Sequence, residues 1–567
     1  MKLRSLLVLL LAALCAPIFA AEGPKPGVEY RRLPVSVYRD KMKAGWVGQI
    51  AGVCWGAPTE FRWNDTIIPA GDVPVWTPEM INNAFGQDDL YVEMTFLRSM
   101  EEYGLDVSQR QAGIDFANSQ YNLWCANLAG RTNLRRGIAP PDSSHPQFNT
   151  RGNDIDYQIE ADFAGLIAPG MPNAVIKLGE KFGRLMNYGD GVYGGQFMGG
   201  MYAEAFFTDD IETIIAAGLA AIPADSQYAE MVRDMVAWHK AHPDDWEATW
   251  KLALEKYRKN PEYQKASNGG IDVKINGVAV LMGILYGAKD LDQTIVLSMR
   301  SGWDSDCNPS SAAGVVFTTF GFSKLPAKFS EKLDNEPKFS YTEYNFPALL
   351  DVCEKLTRQI LAQQGGYVEK DADGNEIFCI PVEKPSPSPL ELTWAPGPIA
   401  GSKFTEEEYA KIKFHDNTPA TLKEAVEKAL PGWTLSKCGP DMEPGYRENY
   451  RGKEGVLLTH PLDKETGCLL SKELEIPAGK KTTLRMTVSH FKTDDAVGDW
   501  VLLVRVNGSP QKEALIGPET VGADGWTTVD VDLTKFAGQK IAVELENRPN
   551  GWSWEAAYWA AVELVSE

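Results

Sequence analysis

The sequence predicts two folded parts in series, a large all-α domain followed by an all-β sandwich or jelly roll. Two patterns carry this prediction. From about residue 36 to residue 363, apolar residues recur every three or four positions, as on one face of an amphipathic helix. From residue 431 to residue 567 they alternate in short segments that turns separate. A chain of 567 residues also exceeds one ordinary hydrophobic core, which agrees with a division into domains.

Residues 1–20 are typical of a secretory signal peptide. Basic residues open the stretch, Leu6 to Leu14 form a short apolar core, and Ala20 suits cleavage. That core is too short to cross a bilayer, and no later stretch of about eighteen apolar residues follows it. We therefore expect an exported, soluble protein in the periplasm, outside the cell or at the cell surface. A lipid anchor at Cys15 is the less favoured alternative, because Leu14 is bulkier than such a processing site usually accepts.

Residues 364–430 differ in residue pattern and composition from both domains. Asp373-Gly374 stands between two short β-prone runs and predicts a hairpin. The proline-rich segment after Lys384 predicts a linker. The evenly spaced alternating segments of residues 431–567 then predict an antiparallel sandwich, with turns such as Val506 to Gly508 between its strands.

Several tryptophans near the end of the chain raise the question of sugar binding by the β-domain. They are Trp500, Trp526, Trp552, Trp554 and Trp559. Aromatic faces stack on sugar rings, so tryptophans in an exported sandwich are compatible with glycan binding. Most tryptophans of such a domain nevertheless belong to its core, and we favour a core position for most of these.

The charge balance and the cysteines limit the classes of partner. The formal net charge of −21 opposes nucleic acid, polyphosphate and anionic lipid. Apart from Cys15, the cysteines are scattered without a C-x-x-C motif, so neither a zinc cluster nor a dense disulfide framework is indicated. Pairing of Cys438 with Cys468 stays open. The sequence does not predict an oligomeric state.

The chemically most distinctive stretch is SGWDSDCNPSSAAG, in which acids precede a predicted small-residue helix. Buried acids are costly unless a cation neutralises them, so a divalent metal at Asp304 and Asp306 is the first candidate. A calcium-binding EF-hand is excluded, because Pro309 and Val315 occupy the positions that need Gly and Glu. The alternative is a capping turn, in which Asp306 or Asn308 accepts amide hydrogen bonds at the helix start.

Two other acidic stretches have the same character. GQIAGVCWGAPTE ends in Glu60, and GQDDLYVEMTFL places Asp88 and Asp89 at a predicted helix start. Glu93 lies one helical turn after Asp89, so both carboxylates share a face. The helix dipole favours acids at helix starts without any function. Three such stretches, each flanked by small or buried-type residues, are less easily explained as three separate caps than one would be.

In this order, the three stretches resemble the ADP-ribosylglycohydrolase superfamily. The matching pieces are Gly48 to Glu60, Gln87 to Asp89 and Asp304 to Asn308, and the resemblance covers about residues 37–326. It implies an all-α fold with a two-magnesium centre at the base of a cleft. The metal ligands that it implies are Asp88, Asp89, Asp304 and Asp306. It also implies that Glu60 lies near the metals, as a ligand or as a catalytic carboxylate.

The chain departs from the family's pattern in three places. Members typically have Thr before the Asp pair and after D-x-D, where this chain has Gln87 and Cys307. Because a thiol is a poor ligand for Mg²⁺, we expect one or two divalent ions, with Mg²⁺ first and Ca²⁺ or Mn²⁺ as alternatives. The family's glycine-asparagine-glycine stretch is also replaced by an acidic one that contains Asp156, Glu160 and Asp162. Extra carboxylates repel a pyrophosphate but suit a neutral sugar, which indicates a different substrate.

We therefore predict an exported, metal-dependent hydrolase of O- or N-glycosidic bonds, with a carbohydrate or glycoside as its substrate. Its predicted catalytic carboxylates are Glu60 and Glu160. Its predicted substrate-binding residues are Glu93, Asp156, Asp162 and Asn308. Two alternatives stay open, namely hydrolysis of ADP-ribosyl groups and non-catalytic glycan binding around a structural metal.

Overall fold

The computed structural model describes residues 23–287, 289–416, 421–439, 441–493, 497–551 and 554–567. The predicted signal peptide, residues 1–20, lies outside the described residues. The chain divides into two compact units, the first ending at Lys413 and the second beginning at Phe414. The first unit is mainly helical and the second is mainly β-structure, so the predicted fold class is confirmed.

The helical unit consists mainly of consecutive α-helices, some of them joined by long connecting segments. Its α-helices are α1 (Val35–Gly56), α2 (Asp88–Tyr103), α3 (Gln109–Ala117), α4 (Cys125–Arg135), α5 (Asp156–Ile159), α6 (Asp162–Leu166), α7 (Pro172–Phe182), α8 (Asp190–Ala205), α9 (Ile211–Ala220), α10 (Gln227–Ala241), α11 (Trp246–Ala253), α12 (Val273–Tyr286), α13 (Leu291–Arg300), α14 (Cys307–Phe320), α15 (Phe346–Gln363) and α16 (Glu406–Tyr409). Within the described residues, no helix has both the length and the apolar character that a membrane span requires.

Helices α1 and α14 pack against each other so closely that their backbones touch. A Cβ atom added at Gly52 would lie 2.3 Å from the carbonyl oxygen of Pro309, and one added at Gly48 would lie 2.5 Å from that of Ala313. Gly48 and Gly52 are four residues apart and therefore lie on the same face of α1. Because α14 begins just after the D-x-D acids, this contact fixes those acids against the C-terminal end of α1.

A small sheet in the helical unit was not predicted as such. Strands β1 (Tyr30–Pro34), β2 (Tyr367–Lys370) and β3 (Glu376–Pro381) form an antiparallel sheet in the order β1-β3-β2. Strands β2 and β3 are the hairpin predicted around Asp373-Gly374. Strand β1 joins it from the other end of the helical part, a pairing that no local pattern in five residues can reveal.

The proline-rich segment after Lys384 lies against the helical unit. The hydroxyl of Thr393 donates a hydrogen bond to Asn153 Oδ1 over 2.7 Å, and the Tyr193 hydroxyl donates to the carbonyl of Pro389 over 3.1 Å. Prolines keep this segment out of helices and strands, so side chains of the helical unit satisfy its carbonyls instead. The first unit therefore extends to Lys413, well beyond the end of the predicted helical part at residue 363.

The second unit is a β-sandwich with one short helix, α17 (Leu422–Ala429). Its strands are β4 (Thr434–Ser436), β5 (Gly445–Tyr450), β6 (Lys453–Thr459), β7 (Cys468–Glu475), β8 (Thr482–His490), β9 (Trp500–Val506), β10 (Ser509–Ile516), β11 (Thr527–Asp532), β12 (Lys540–Arg548) and β13 (Ala557–Ser566). They form two five-stranded antiparallel sheets, β10-β9-β12-β7-β4 and β11-β8-β13-β6-β5. Both sheets supply residues to one core, for example Leu502 and Met486.

The tryptophans of the sandwich mostly follow the core interpretation. Trp500, Trp526 and Trp559 are buried, whereas Trp554 is 45% exposed. Trp552 lies outside the described residues. The described cysteines are free thiols, and those of Cys438 and Cys468 hydrogen-bond to each other.

The contact between α1 and α14 predicts the effect of adding one methyl group. We expect Gly52→Ala to lower the free energy of unfolding of the helical unit by about 1–3 kcal/mol, because the new Cβ meets backbone that cannot move aside. The matched control is Gly71→Ala, since nothing lies within 4 Å of a Cβ added there. Chemical denaturation of both variants checks this. Equal stability of the two would contradict the close contact.

Candidate metal centre and active-site cleft

The helical unit contains a cleft of about 470 Å³ whose lining is acidic and aromatic. Its charged lining residues are Glu60, Asp88, Arg151, Asp156, Asp304 and Asp306, and its aromatic ones are Phe61, Tyr91 and Trp124. Residues from α1, α2, α4, α5 and α14, or from the turns beside them, therefore meet in one place. Stretches that are far apart in the sequence form a single site.

The four aspartates that were predicted as metal ligands meet at the starts of α2 and α14. Ligand atoms of Asp88, Asp89 and Cys307 lie within 4.8 Å of one another, and so do those of Asp304, Asp306 and Cys307. Cys307 belongs to both groups, so its sulfur lies between the two acid pairs. We call these five residues the acid-thiol centre.

The loop that carries Asp304 and Asp306 is held by buried polar contacts. Trp303 adopts a positive φ of 56°, and its indole N–H donates to Asp65 Oδ1 over 3.0 Å. On the other side, Asn276 of α12 accepts from the Asn308 side-chain amide over 2.8 Å and from the Asp304 backbone N–H over 3.4 Å. This loop is therefore fixed before any ligand binds.

The capping interpretation of this loop is wrong. Asp306 occupies the position before α14, but the helix start has no side-chain capping hydrogen bond. The side-chain oxygens Asp304 Oδ1, Asp306 Oδ1 and Asn308 Oδ1 are buried without a hydrogen-bond partner. Carboxylates that served as caps would use these oxygens on backbone N–H groups.

The acid-thiol centre fits a divalent cation. Both carboxylate oxygens of Asp89 are buried without a partner, as is one oxygen each of Asp304 and Asp306. Leaving such charged oxygens unpaired in the interior costs several kcal/mol per ion, whereas coordination to a cation satisfies them. Convergent carboxylate oxygens are also the donors that hard divalent ions prefer.

Burial and mutual repulsion raise the pKa values of these acids. Burial, together with the charges of Asp89 and Glu60, raises the pKa of Asp304 to about 7. The pKa values of Asp89 and Asp306 lie well above their usual range, again through burial and then through the neighbouring aspartates. Glu60 is exposed at the cleft, yet partial desolvation and the charges of Asp306 and Asp88 raise its pKa to about 7.

Asp156, the first residue of α5, lies in the cleft next to the start of α4. Its carboxylate accepts hydrogen bonds from the backbone N–H groups of Ala126 and Asn127 over 3.1 and 2.8 Å. Burial raises its pKa to about 7, although these N–H groups act in the opposite direction. Of the residues predicted to bind substrate, Asp156 is the one that lines the cleft.

The other predicted residues lie behind the cleft. Glu93, Glu160, Asp162 and Asn308 are completely buried and do not belong to its lining. Glu93 accepts from the Phe163 backbone N–H and Asp162 from the Tyr202 hydroxyl, while Glu160 accepts from the Asn127 side chain. The structure therefore does not bring the predicted catalytic Glu160, or the predicted substrate-binding Glu93, Asp162 and Asn308, to the lining of the cleft.

Several cleft residues were missed by reasoning from sequence. Trp124, Cys125 and Arg151 stand in loops or at a helix start, where no period marks the direction of a side chain. Tyr91 gave a usable signal, since it follows Asp88 by three residues and so shares its face of α2.

A comparison with known protein families gives a match over the helical part of the chain. The family model for ADP-ribosylglycohydrolase matches residues 34–365. The chain belongs to the ADP-ribosylglycohydrolase family. This is a family of hydrolases that are generally metal-dependent. No curated protein matches the chain.

Several solved structures match portions of this ADP-ribosylglycohydrolase family member at low identity. A chain described as an ADP-ribosylglycohydrolase-related protein complex has 14% identity and a TM-score of 0.34, and the match covers 57% of this chain and 99% of that one. A family 35 carbohydrate-binding module from Clostridium thermocellum has 12% identity and a TM-score of 0.18, covering 25% and 95%. The module TmCBM61, in complex with beta-1,4-galactotriose, has 20% identity and a TM-score of 0.19, covering 26% and 95%.

The raised pKa values predict how the stability of the chelated protein depends on pH. An acid whose pKa is higher in the folded than in the unfolded state destabilises the fold once it ionises. For Asp304 that loss of stability develops as pH rises from about 4, where the unfolded acid titrates, through about 7. In EDTA, raising the pH from 5 to 8 should therefore destabilise the Asp304→Asn variant less than it destabilises the unmodified protein. Thermal unfolding at several pH values measures this difference.

The exposed Asp72 supplies the control for this measurement, as Asp72→Asn. This variant should keep the pH dependence of the unmodified protein, and added Mn²⁺ should stabilise both proteins near pH 8. If the stability of Asp304→Asn depended on pH as that of the unmodified protein does, the Asp304 carboxylate would not be the cause of this pH dependence.

Proposed function

We propose that this protein is an exported, metal-dependent hydrolase of glycosidic bonds that acts on a neutral sugar. The signal-peptide pattern of residues 1–20 supports export, and the acid-thiol centre supports metal dependence. The observation that carries the choice of substrate is the lining of the cleft. It combines five carboxylates with a single guanidinium and with exposed aromatic rings.

The charge of the lining disfavours a pyrophosphate. Even two divalent cations, together with Arg151, only balance the five lining carboxylates, so no surplus positive charge is left for an anion. Arg151 also lies 3.4 Å from the Asp154 carboxylate, which takes part of its charge. A sugar without phosphate groups meets no such repulsion.

The aromatic residues of the cleft suit a sugar ring. Trp124 is 55% exposed and Phe61 is 37% exposed, although both are large apolar side chains. Exposed rings beside polar groups offer faces on which the C–H groups of a sugar stack, while carboxylates accept hydrogen bonds from its hydroxyls. A cleft of about 470 Å³ has the size of an ordinary small-molecule site.

The chemistry needs a proton donor and a proton acceptor next to the anomeric carbon. Hydrolysis breaks the bond from that carbon to the leaving group, and a water oxygen replaces it. One water proton passes to a carboxylate, and the leaving group takes a proton from an acid. Glu60 and Asp156 line the cleft with pKa values of about 7, so each can give or take a proton near neutral pH.

These roles refine the predicted catalytic pair. Glu60 keeps its predicted catalytic role, and we assign the second catalytic role to Asp156 in place of Glu160. Glu160 then acts through Asn127, whose side chain it holds and whose backbone N–H binds Asp156. A cation at the acid-thiol centre would act as a Lewis acid towards the sugar hydroxyls and the developing charge.

Family membership favours a second candidate, the hydrolysis of ADP-ribosyl groups. The two candidates differ in product, since one releases a free neutral sugar and the other releases ADP-ribose. Glycan binding without turnover would correspond to the third possibility. The sandwich with its exposed Trp554 supports an accessory contact with glycan.

Screening a glycoside panel and an ADP-ribosylated peptide tests the proposal. We expect turnover of a glycoside that EDTA abolishes and that an added divalent ion restores. Glu60→Gln should lower kcat by about 10²- to 10⁴-fold, because it removes a proton-transfer group and leaves the shape unchanged. Glu102→Gln, an exposed change at the far end of α2, is the control.

Three results would contradict the proposal. Glycoside turnover that persists in EDTA would remove the metal from the mechanism. Release of ADP-ribose without turnover of any glycoside would establish the second candidate. Full activity of Glu60→Gln would remove Glu60 from proton transfer.

A further inference from the structure

Cys307 occupies a position that the proposed mechanism does not use. It is the first residue of α14, is buried, and lies beside the carboxylates of both acid pairs. Its sulfur lies within 4.8 Å of ligand atoms from each acid pair. A thiol that served only as a small apolar group would pack among apolar side chains, but this one is surrounded by carboxylates.

Nearby cysteines do not share this position. Cys125 lines the same cleft, but it is absent from both groups of converging ligand atoms. Cys54 is buried below the cleft, and its thiol contacts the Ile81 carbonyl at 3.6 Å. Among the described residues, Cys307 is thus the sulfur that both acid pairs share.

The donor set of the centre is mixed, with four carboxylates and one sulfur. Magnesium binds oxygen almost exclusively and gains little from sulfur, whereas Zn²⁺ and Co²⁺ bind carboxylate and thiolate together. The unpartnered oxygens of Asp89, Asp304 and Asp306 point to a cation at this place independently of the thiol. The identity of the shared donor then decides which cation the centre prefers.

We propose that Cys307 ligates the metal through its sulfur, so that the centre takes a divalent transition ion of the Zn²⁺ or Co²⁺ type in preference to Mg²⁺. This proposal rests on the metal dependence of the proposed function. A metal–sulfur bond replaces the S–H bond, and the released proton passes to the buffer. No oxidation or reduction is involved.

Titration of the chelator-stripped protein with Co²⁺ tests this directly. A cobalt–thiolate bond produces an intense near-ultraviolet charge-transfer band, in addition to the weak visible bands of any bound Co²⁺. We expect the band to appear at one ion per sulfur and to survive an excess of Mg²⁺. Cys307→Ser should remove the band and weaken Co²⁺ binding by at least about tenfold, the lower end of what loss of even an outer-sphere partner costs.

Two controls exclude other thiols as the source of the band. Cys125→Ser removes the other cysteine of the cleft lining, and Cys438→Ser breaks up the adjacent thiols of the sandwich. Both variants should keep the band. X-ray absorption on the unmodified cobalt protein adds a measurement that needs no variant, and it should find sulfur in the first coordination shell.

The outcomes separate this proposal from the proposed function. Co²⁺ binding without the band, or a band that Cys307→Ser keeps, overturns sulfur ligation and leaves the cation centre in place. Absence of any Co²⁺ binding overturns both sulfur ligation and metal dependence. Turnover of glycosides, measured separately, decides the reaction whichever of these results is found.

Discussion

Mutual repulsion among buried carboxylates is the constraint on which the rest of this structure depends. Asp89, Asp304 and Asp306 lie close together in the interior, and burial together with their neighbours raises the pKa of each. Such a cluster costs stability unless protons or a cation neutralise it. A fold that holds it in place commits part of its stability to a function, as sites of catalysis and binding commonly do.

The surrounding architecture supplies what the cluster needs. Glycines such as Gly48 and Gly52 permit backbone contact between α1 and α14, and this contact prevents the D-x-D loop from moving towards α1. Asn276 of α12 and the buried Trp303 fix the same loop from other sides. The acids therefore keep their positions without a ligand, and a cation meets a site that is already formed.

Different features of the sequence predicted the fold class and the metal-ligand acids. The change of period from three or four to two predicted the helical unit and the sandwich, because burial of one face imposes that period on any sequence. The meeting of Asp88 with Asp304 followed only from family resemblance, since no local pattern relates residues so far apart. Whether the side chains of Glu93, Glu160 and Asp162 face the cleft could not be predicted, because a buried acid behind a cleft and an acid that lines it look the same in sequence. The loop residue Trp124 carried no periodic signal at all.

We propose above all that the acid-thiol centre binds a cation and that this cation serves hydrolysis in the adjacent cleft. Diffraction from crystals grown with Mn²⁺ tests it most directly, because manganese scatters anomalously and can be located without assumptions. We expect an anomalous peak among Asp88, Asp89, Asp304, Asp306 and Cys307. Anomalous density elsewhere, with these carboxylates protonated and hydrogen-bonded to one another, would contradict it.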